Sequence, residues 1–263
     1  MNQQPLAFIH PDAKIAKNVS IDPFVFIDKN VEIGEGTWIG ANVTIMDGAR
    51  IGKNCRIFPG AVISAIPQDL KFVGEETTAE IGDNTTVREC ATINRGTKAR
   101  GKTTVGNNCL LMAYVHIAHD CEIKNNIIIG NSSQIAGEVV IDDFAILSGS
   151  VLVHQFSNIG GHVMVSGGTL VRKDIPPFVT AAHEPLSFVG LNSVGLRRRQ
   201  FSSERIQEIS EAYKILYSGK FNISNALIEI ENKINQSAER DMILNFVRSS
   251  KRGIMKGNAA LNE

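Results

Sequence analysis

An aliphatic residue recurs at every sixth position through the first two thirds of the chain. The run starts at Ile9 and reaches Val171, and among the 28 positions of this series only Asp69, Glu75 and Ala99 break it. A period of six fits neither an amphipathic helix nor a hairpin meander. It predicts a parallel β-helix in which three hexads form one triangular coil and the aliphatic side chains stack inside. The chain is therefore expected to be mainly β.

A second repeating position lies four residues after each aliphatic one and usually holds a small side chain, as at Ala13. Three of the four cysteines, Cys55, Cys109 and Cys121, occupy this position, and Cys90 lies close to it. Small apolar groups at a fixed place in a repeat are typical of a narrow core, so these thiols are predicted to be structural. Four cysteines without a paired spacing also indicate reduced thiols in a cytoplasmic protein.

Two segments leave the repeat, residues 64–80 and 94–104, and both are predicted to be loops that a rigid coil presents for binding. The repeat is expected to end near Asp174, because two prolines follow it. From about residue 192 the sequence has helical periodicity in three stretches, with serines suited to an N-cap. A helical cap over the open end of the coil is the simplest interpretation. The expected organisation is a β-helix over residues 1–191 and a C-terminal α-helical domain over residues 192–263.

The charge balance excludes several classes of partner. The 27 basic and 27 acidic residues cancel, so no overall field favours nucleic acid or an anionic membrane. The N-terminus lacks the basic start and long apolar run of a signal peptide. No apolar stretch approaches the roughly 20 residues that a membrane helix needs, so no integral membrane segment is expected.

The run HIAHDC, residues 116–121, places two histidines three positions apart and an aspartate after the second. With three hexads in a coil, residues 18 positions apart are expected to lie above one another. The resulting columns are His119 with Gly137 and Gln155, His116 with Gln134 and Leu152, and Asp120 with Glu138, while His154 adjoins Gln155. Residues far apart in the sequence are therefore predicted to meet in one small patch.

These residue types suit proton transfer during acyl transfer. Near neutral pH an imidazole such as that of His119 accepts a proton and returns it to a leaving group. A carboxylate such as Asp120 orients the ring, and the N–H of Gly137 can face the oxyanion of a tetrahedral intermediate. A zinc site of the kind found in β-helical carbonic anhydrases is the alternative. Their ligand spacing is wider than His-x-x-His and the sequence offers no obvious third ligand, so no metal is expected.

Five motifs together resemble one family. The segments QDLKFVGE, HIAHDC, IAGEVVIDDFAI, VHQF and NSVGLRRR, on a hexad background that spans nearly the whole chain, are similar to the UDP-N-acetylglucosamine acyltransferases of lipid A synthesis. The resemblance implies a left-handed coil and a homotrimer with its active sites between subunits. It also implies transfer of an (R)-3-hydroxyacyl group from acyl carrier protein to the glucosamine 3-hydroxyl of UDP-N-acetylglucosamine. No cofactor is implied beyond the phosphopantetheine that holds the acyl group on its carrier protein.

The resemblance also implies roles for single residues. His119 would be the general base, Asp120 its partner and Gly137 the oxyanion donor. The residues implied in substrate binding are Asp69, Lys71, His116, His154, Gln155, Asn192, Arg198 and Arg199. Gly167 would leave the acyl groove open, where a bulky side chain would shorten it, and a long acyl chain is therefore expected. A pair of turn glycines at positions 167 and 168 is the competing interpretation.

The chain departs from the family pattern at two positions, Glu138 and Val194, which puts the substrate contacts made there in question. Basic residues are candidates for binding phosphate or the acidic carrier protein, namely Arg197, Arg198 and Arg199 near the end of the coil and Arg95, Lys98, Arg100 and Lys102 in the second loop. Three rival functions are the lipid A N-acyltransferase, an acetyl-CoA-dependent acetyltransferase and a purely structural solenoid. The missing N-terminal domain weakens the first, the loop and arginine motifs weaken the second, and the histidine column weakens the third.

Overall fold

The computed structural model describes residues 6–257 and consists of a triangular parallel β-helix followed by a helical region. The strands in chain order are β1 (Phe8–Ile9), β2 (Lys14–Ile15), β3 (Ser20–Ile21), β4 (Phe26–Ile27), β5 (Glu32–Ile33), β6 (Trp38–Ile39), β7 (Thr44–Ile45), β8 (Ala49–Ile51), β9 (Arg56–Ile57), β10 (Val62–Ala65), β11 (Thr78–Ile81), β12 (Thr86–Val87), β13 (Thr92–Asn94) and β14 (Lys102–Val105). They continue with β15 (Leu110–Leu111), β16 (His116–Ile117), β17 (Glu122–Ile123), β18 (Ile128–Ile129), β19 (Gln134–Ile135), β20 (Val140–Ile141), β21 (Ile146–Leu147), β22 (Leu152–Val153), β23 (Asn158–Ile159), β24 (Met164–Val165), β25 (Leu170–Val171), β26 (Val179–Ala182), β27 (Ser187–Leu191) and β28 (Lys256–Gly257).

Every third strand of the coil belongs to the same sheet, which confirms the β-helix that the hexad period predicts. Sheet 1 contains β1, β4, β7 and so on to β25, sheet 2 contains β2 to β23, and sheet 3 contains β3 to β24 together with β26, β27 and β28. The first corner joins sheet 1 to sheet 2, the second corner joins sheet 2 to sheet 3, and the third corner joins sheet 3 back to sheet 1. Uninterrupted coils pair with an offset of 18 residues, as in His116 opposite Gln134.

The aliphatic residue of each hexad points into the prism, and the isoleucines at this repeating position from Ile21 to Ile159 are almost completely buried. The small residues that follow them are buried as well, including Cys55, Cys109 and Cys121. Burial raises the pKa of the Cys121 thiol to about 12, so this sulfur stays a neutral core group. Most turns contain a residue in the left-handed region, often an asparagine such as Asn18 (φ 56°), because asparagine tolerates this conformation better than most residues.

Two loops interrupt the coil, both at the first corner. Loop L1 comprises residues 66–77 and loop L2 comprises residues 95–101. Both are shorter than the segments 64–80 and 94–104 that the sequence predicts, because strands β10, β11, β13 and β14 extend beyond the two-residue length of their neighbours. Longer pairing at the base of a loop holds its two ends together.

The hexad strands end with β25, close to Asp174 where the repeat is predicted to end, and sheet 3 continues beyond them within the predicted β-helix of residues 1–191. Strand β26 continues sheet 3 by pairing in parallel with β24, with Met164 opposite Thr180. Pro176 and Pro177 lie in the turn before β26, where a missing N–H removes no ladder hydrogen bond. An antiparallel hairpin, β26–β27, and the late strand β28 then extend the same sheet.

Four helices follow the hairpin: α1 (Ser193–Arg198), α2 (Ser203–Leu216), α3 (Ile223–Lys233) and α4 (Ala238–Ser249). The side chains of Asn192, Ser202, Asn222 and Ser237 each accept a hydrogen bond from a backbone N–H in the first turn, as N-caps do. Tyr213 of α2 is fully buried and donates its hydroxyl proton to the carbonyl of Pro177, which joins the helices to the coil. None of the helices within residues 6–257 is both long and apolar enough to cross a membrane.

Candidate active site

The patch predicted from the 18-residue columns lies in a groove of about 530 Å³ on the outer face of sheet 1, near the first corner. Its lining includes His116, His119, Gly137, His154 and Gln155, so the structure brings these five together. Gln68 of loop L1, Gln134, Leu152, Leu170 and Arg172 complete much of the wall. We call this the sheet 1 groove.

His119 and Asp120 form a hydrogen-bonded pair at the first corner. The distance from His119 Nδ1 to Asp120 Oδ2 is 2.8 Å, and the aspartate side chain is completely buried. Because an ionised carboxylate only accepts hydrogen bonds, this contact assigns the proton to Nδ1 and leaves Nε2 as an acceptor. The imidazole is 17% exposed, so the ring is held firmly and still reaches the groove.

Loop L1 brings a second carboxylate to the other side of the same ring. Asp69 Oδ2 lies 3.9 Å from His119 Nε2, and Asp69 Oδ1 accepts the backbone N–H of Lys71 at 2.9 Å. The Lys71 side chain is exposed. Asp69 therefore borders the place where a substrate hydroxyl would meet Nε2, with an ammonium group close by in the sequence.

Gly137 packs directly over the His119 ring. A Cβ atom added to Gly137 would lie 2.7 Å from both Cε1 and Nε2 of His119, closer than real Cβ contacts come. The Gly137 carbonyl accepts the N–H of Phe156, whereas its own N–H has no acceptor within residues 6–257. Only glycine fits this stack, and its backbone donor is free beside the imidazole.

His116 lies on strand β16 of sheet 1, three residues before His119, and its Nδ1 lies 2.7 Å from the Thr92 hydroxyl oxygen. Burial, reinforced by the charge of His119, lowers the pKa of His116, so the ring is neutral near pH 7. In the tautomer in which the Thr92 hydroxyl donates to Nδ1, His116 presents Nε2–H as a donor, whereas His119 presents Nε2 as an acceptor. The two histidines can thus serve different roles in one groove.

The far end of the groove is more open. His154 and Gln155 are exposed, and the closest polar neighbour of His154 Nδ1 is the carbonyl of Gln155 at 3.0 Å. Glu138 is half-buried in the turn beside Gly137, and its N–H donates to the carbonyl of His119. These side chains are therefore available to a ligand rather than committed to the core.

The structure does not bring Asn192, Arg198 and Arg199 to the groove of the same chain, although the sequence interpretation lists them with it. Arg199 donates to the Phe144 carbonyl at 2.9 Å, and Asn192 donates to the His162 carbonyl at 2.9 Å. Phe144 and His162 lie at the second corner, whereas His119 lies at the first. A column argument follows one corner only and cannot reveal such a separation.

The second corner is itself a packed cluster. The Arg199 guanidinium lies 5.2 Å from the centre of the Phe144 ring, and burial lowers its pKa. Burial, with a smaller contribution from the Arg199 charge, lowers the pKa of His162 to about 4. Asn192 is buried and also caps α1 through the Gly195 N–H. Arg198, by contrast, is exposed and unconstrained by this packing.

Further predicted residues lie outside the sheet 1 groove. Gly167 is exposed at the third corner, where an added Cβ would lie 3.1 Å from the Gly149 carbonyl oxygen.

Among the cations of the second loop segment, Arg95, Arg100 and Lys102 are within 4 Å of Asp47, Glu122 and Glu80 respectively. These three ion pairs reduce the charge that loop L2 and the start of β14 offer to an acidic partner.

Sequence reasoning missed several residues that shape the groove. The 18-residue spacing extends the His116 column to Leu170, so this residue is visible in the sequence pattern. Arg172 joins the groove to a second cavity of about 700 Å³, which includes Lys173, His183 and Lys256 in its lining. Thr97 and Thr92 show no pattern in the sequence that indicates a role, because only the structure shows which side chains their hydroxyls contact.

Residues 6–257 contain no group of three or more His, Cys, Asp and Glu side chains arranged to hold a metal ion.

Comparison with known families matches both halves of this architecture. Residues 174–255 match the family model described as "Udp N-acetylglucosamine O-acyltransferase; Domain 2". Residues 30–65 and 102–137 match the model described as "Bacterial transferase hexapeptide (six repeats)".

Similar proteins cover nearly the whole chain. An acyl-[acyl-carrier-protein]--UDP-N-acetylglucosamine O-acyltransferase of a Sulfurihydrogenibium species is 57% identical, over 95% of this chain and 93% of that protein. One from Trichlorobacter lovleyi, with the same name, is 51% identical over 95% of this chain and 98% of its own. The crystal structure of a UDP-N-acetylglucosamine acyltransferase from Bacteroides fragilis superposes with a TM-score of 0.95 at 56% identity, covering 97% of this chain and 100% of that one.

Proposed function

Because the chain belongs to the UDP-N-acetylglucosamine O-acyltransferase family, we propose that its sheet 1 groove transfers a long-chain (R)-3-hydroxyacyl group by histidine general-base catalysis. Family membership supplies the reaction class, which is acyl transfer from acyl carrier protein to UDP-N-acetylglucosamine in lipid A synthesis. The observation that carries the mechanism is the buried His119–Asp120 pair with Gly137 stacked on the imidazole. With acyl carrier protein as donor, the protein would work in the cytoplasm.

The proposed reaction starts with the glucosamine 3-hydroxyl at His119 Nε2. The imidazole takes the hydroxyl proton as the oxygen attacks the thioester carbonyl, and Asp120 stabilises the imidazolium that forms. The free N–H of Gly137 donates to the resulting oxyanion. When the C–S bond breaks, the imidazolium returns the proton to the phosphopantetheine thiolate, so the base is regenerated without a cofactor.

Substrate contacts are assigned by chemistry. His116 would present an N–H donor, and Asp69, Lys71, His154 and Gln155 would supply polar and charged groups that suit a sugar and its phosphates. Leu152 and Leu170 give the groove an apolar wall that fits an acyl chain. Arg172 at the end of this wall suits the phosphate of the carrier's prosthetic group.

The assignment of the acyl chain is tested with a ladder of 3-hydroxyacyl carrier proteins and UDP-N-acetylglucosamine, with product masses read by mass spectrometry. The unmodified protein is expected to prefer long chains. Gly167→Met is expected to shift the preference to shorter chains by at least about tenfold in kcat/KM, since a bulky side chain at the third corner, three residues before Leu170 of the groove wall, would shorten the path of the acyl chain. An unchanged length preference would show that Gly167 is only a turn glycine. A product amide instead of an ester would favour the N-acyltransferase alternative.

A homotrimer would explain how the basic residues of the second corner can take part in the site that contains His119. Within one chain Arg198 and Arg199 lie at a different corner from His119, so a single chain presents an incomplete nucleotide site. Three copies around a three-fold axis can place the second corner of one copy against the first corner of the next. In that arrangement Asn192, Arg198 and Arg199 would contact the uridine diphosphate bound to a neighbour.

Mixed assemblies test this arrangement. His119→Ala and Arg198→Ala proteins are each expected to be nearly inactive, but unfolding and refolding them together in equal amounts should restore about one quarter of the normal activity, because random assembly makes about one site in four intact. Co-refolding His119→Ala with Asp69→Ala is the control. His119 and Asp69 belong to the groove of the same chain, and every copy in this mixture lacks one of them, so no intact site forms. Equal recovery in the two mixtures, or none in either, would contradict a site shared between copies.

A further inference from the structure

The buried carboxylate of Asp120 is held mainly by loop L2. Its Oδ1 accepts the backbone N–H groups of Thr97 at 3.0 Å and Arg100 at 3.1 Å. Its Oδ2 accepts the Thr97 hydroxyl at 2.7 Å and faces His119 Nδ1 at 2.8 Å. A carboxylate removed from water needs such donors, because an unpaired buried charge costs several kcal/mol.

The Thr97 hydroxyl is committed to this contact. Thr97 is 6% exposed, and its oxygen also accepts the N–H of Ala99 at 3.1 Å. With the oxygen accepting from Ala99, the single hydroxyl proton is directed at Asp120 Oδ2. The hydroxyl therefore fixes the rotation of the carboxylate whose same oxygen orients the His119 ring.

Loop L2 is itself fixed in place. The Thr77 hydroxyl donates to the Gly96 carbonyl at 2.6 Å, and the Gly96 N–H donates to the Thr78 carbonyl at 3.1 Å. A Cβ on Gly96 would lie 2.3 Å from the backbone nitrogen of Lys102, so the loop can close this tightly only with glycine. A rigid loop places Thr97 with the accuracy that an oriented general base requires.

The geometry points to Thr97 as a positioning residue for the acyl transfer, acting through Asp120 on the direction of His119 Nε2. This inference rests on the proposed role of His119 as the base. It gives the second loop a function inside the active site, in addition to any contact with a partner outside. Without the Thr97 hydroxyl, Asp120 loses its closest loop donor and can turn away from the imidazole.

Three variants test it. Thr97→Val keeps the shape and the backbone N–H but removes the hydroxyl, and kcat is expected to fall about 10- to 100-fold with little change in KM, as expected when one hydrogen bond to a charged group is lost. Thr97→Ser retains the hydroxyl and is expected to stay within about threefold of the normal kcat, since its oxygen can make the same bond. Should the valine protein not fold, Thr97→Ala provides the same comparison.

The matched control is Thr37→Val. Thr37 is also buried, and its hydroxyl donates to the Gly52 carbonyl at 2.8 Å and accepts the Cys55 N–H at 3.0 Å, at the second corner and away from the groove. Its loss is expected to lower the melting temperature without lowering kcat. A kcat loss in Thr37→Val equal to that in Thr97→Val would show a general effect of weakened packing and overturn the inference.

A double-mutant cycle with Asp120→Ala separates positioning from stability. If Thr97 acts through Asp120, Thr97→Val causes no further loss of kcat in the Asp120→Ala background. Losses that multiply in the double variant overturn the inference. Normal kcat in Thr97→Val together with an inactive His119→Ala protein also overturns it, while the base role stands. Normal kcat in His119→Ala removes both the base and its positioning residue.

Discussion

Replacement of His119 by alanine is expected to lower kcat by about 10²- to 10⁴-fold, the range that general-base catalysis contributes in typical enzymes. The imidazole is the group whose Nε2 reaches the sheet 1 groove while its Nδ1 is bound to the buried Asp120. Since the proton-accepting nitrogen acts mainly in the transition state, KM for either substrate should change little. Initial rates with saturating acyl carrier protein and UDP-N-acetylglucosamine measure both quantities.

Two other histidines provide the comparison for His119→Ala. His154 is exposed at the open end of the groove, so His154→Ala is expected to raise KM for the nucleotide sugar more than it lowers kcat. His10 lies in the first coil, where its Nδ1 accepts the Asp12 N–H, and His10→Ala should behave like the unmodified protein. A His119→Ala protein with normal kcat would remove His119 from the mechanism and leave the fold and family unaffected.

The hexad period made the core of the site predictable. From Val105 to Val171 the coil has no insertion, so the 18-residue offset holds and places His119 beside Gly137 and His116 beside Gln134. Repeat geometry alone determines these contacts. The same arithmetic yields no information about Asp69, because loop L1 leaves the repeat before residue 69 and its path depends on contacts that the sequence does not display.

The rest of the site depends on contacts between distant segments. Thr97 reaches Asp120 across 23 positions through a loop, and Arg199 reaches Phe144 across 55 positions through a helix. Strand β28 pairs with β27 nearly 70 residues after it and contains only two residues, too few for a periodic signal. Helix α1, with six residues, is equally short. Periodicity predicts long regular elements. Short elements such as these form because of tertiary packing and leave no periodic pattern in the sequence.

Gly137→Ala is expected to lower kcat by about 100-fold through displacement of the general base, although it adds a single methyl group. The new Cβ would lie 2.7 Å from Cε1 and Nε2 of His119, so the ring must move by several tenths of an ångström or more. The ring cannot retreat easily, because Nδ1 is bound to the fully buried Asp120. A displacement of about 1 Å in a catalytic group typically costs this factor. Steady-state kinetics with the thermal stability of the same sample measure the effect.

Control variants of Gly137→Ala are expected to separate contact with His119 from any other effect of the methyl group. At Gly149, in the third corner, an added Cβ meets its nearest atom at 3.4 Å, an ordinary contact, so Gly149→Ala should keep normal kcat. In a His119→Ala background the methyl group meets no imidazole, and Gly137→Ala should then cause little further loss of kcat. If the two losses instead multiply, the methyl group acts on the oxyanion donor of Gly137 rather than on the base. The double-mutant cycle thus distinguishes the contact of Gly137 with the His119 ring from the role of the Gly137 N–H as oxyanion donor.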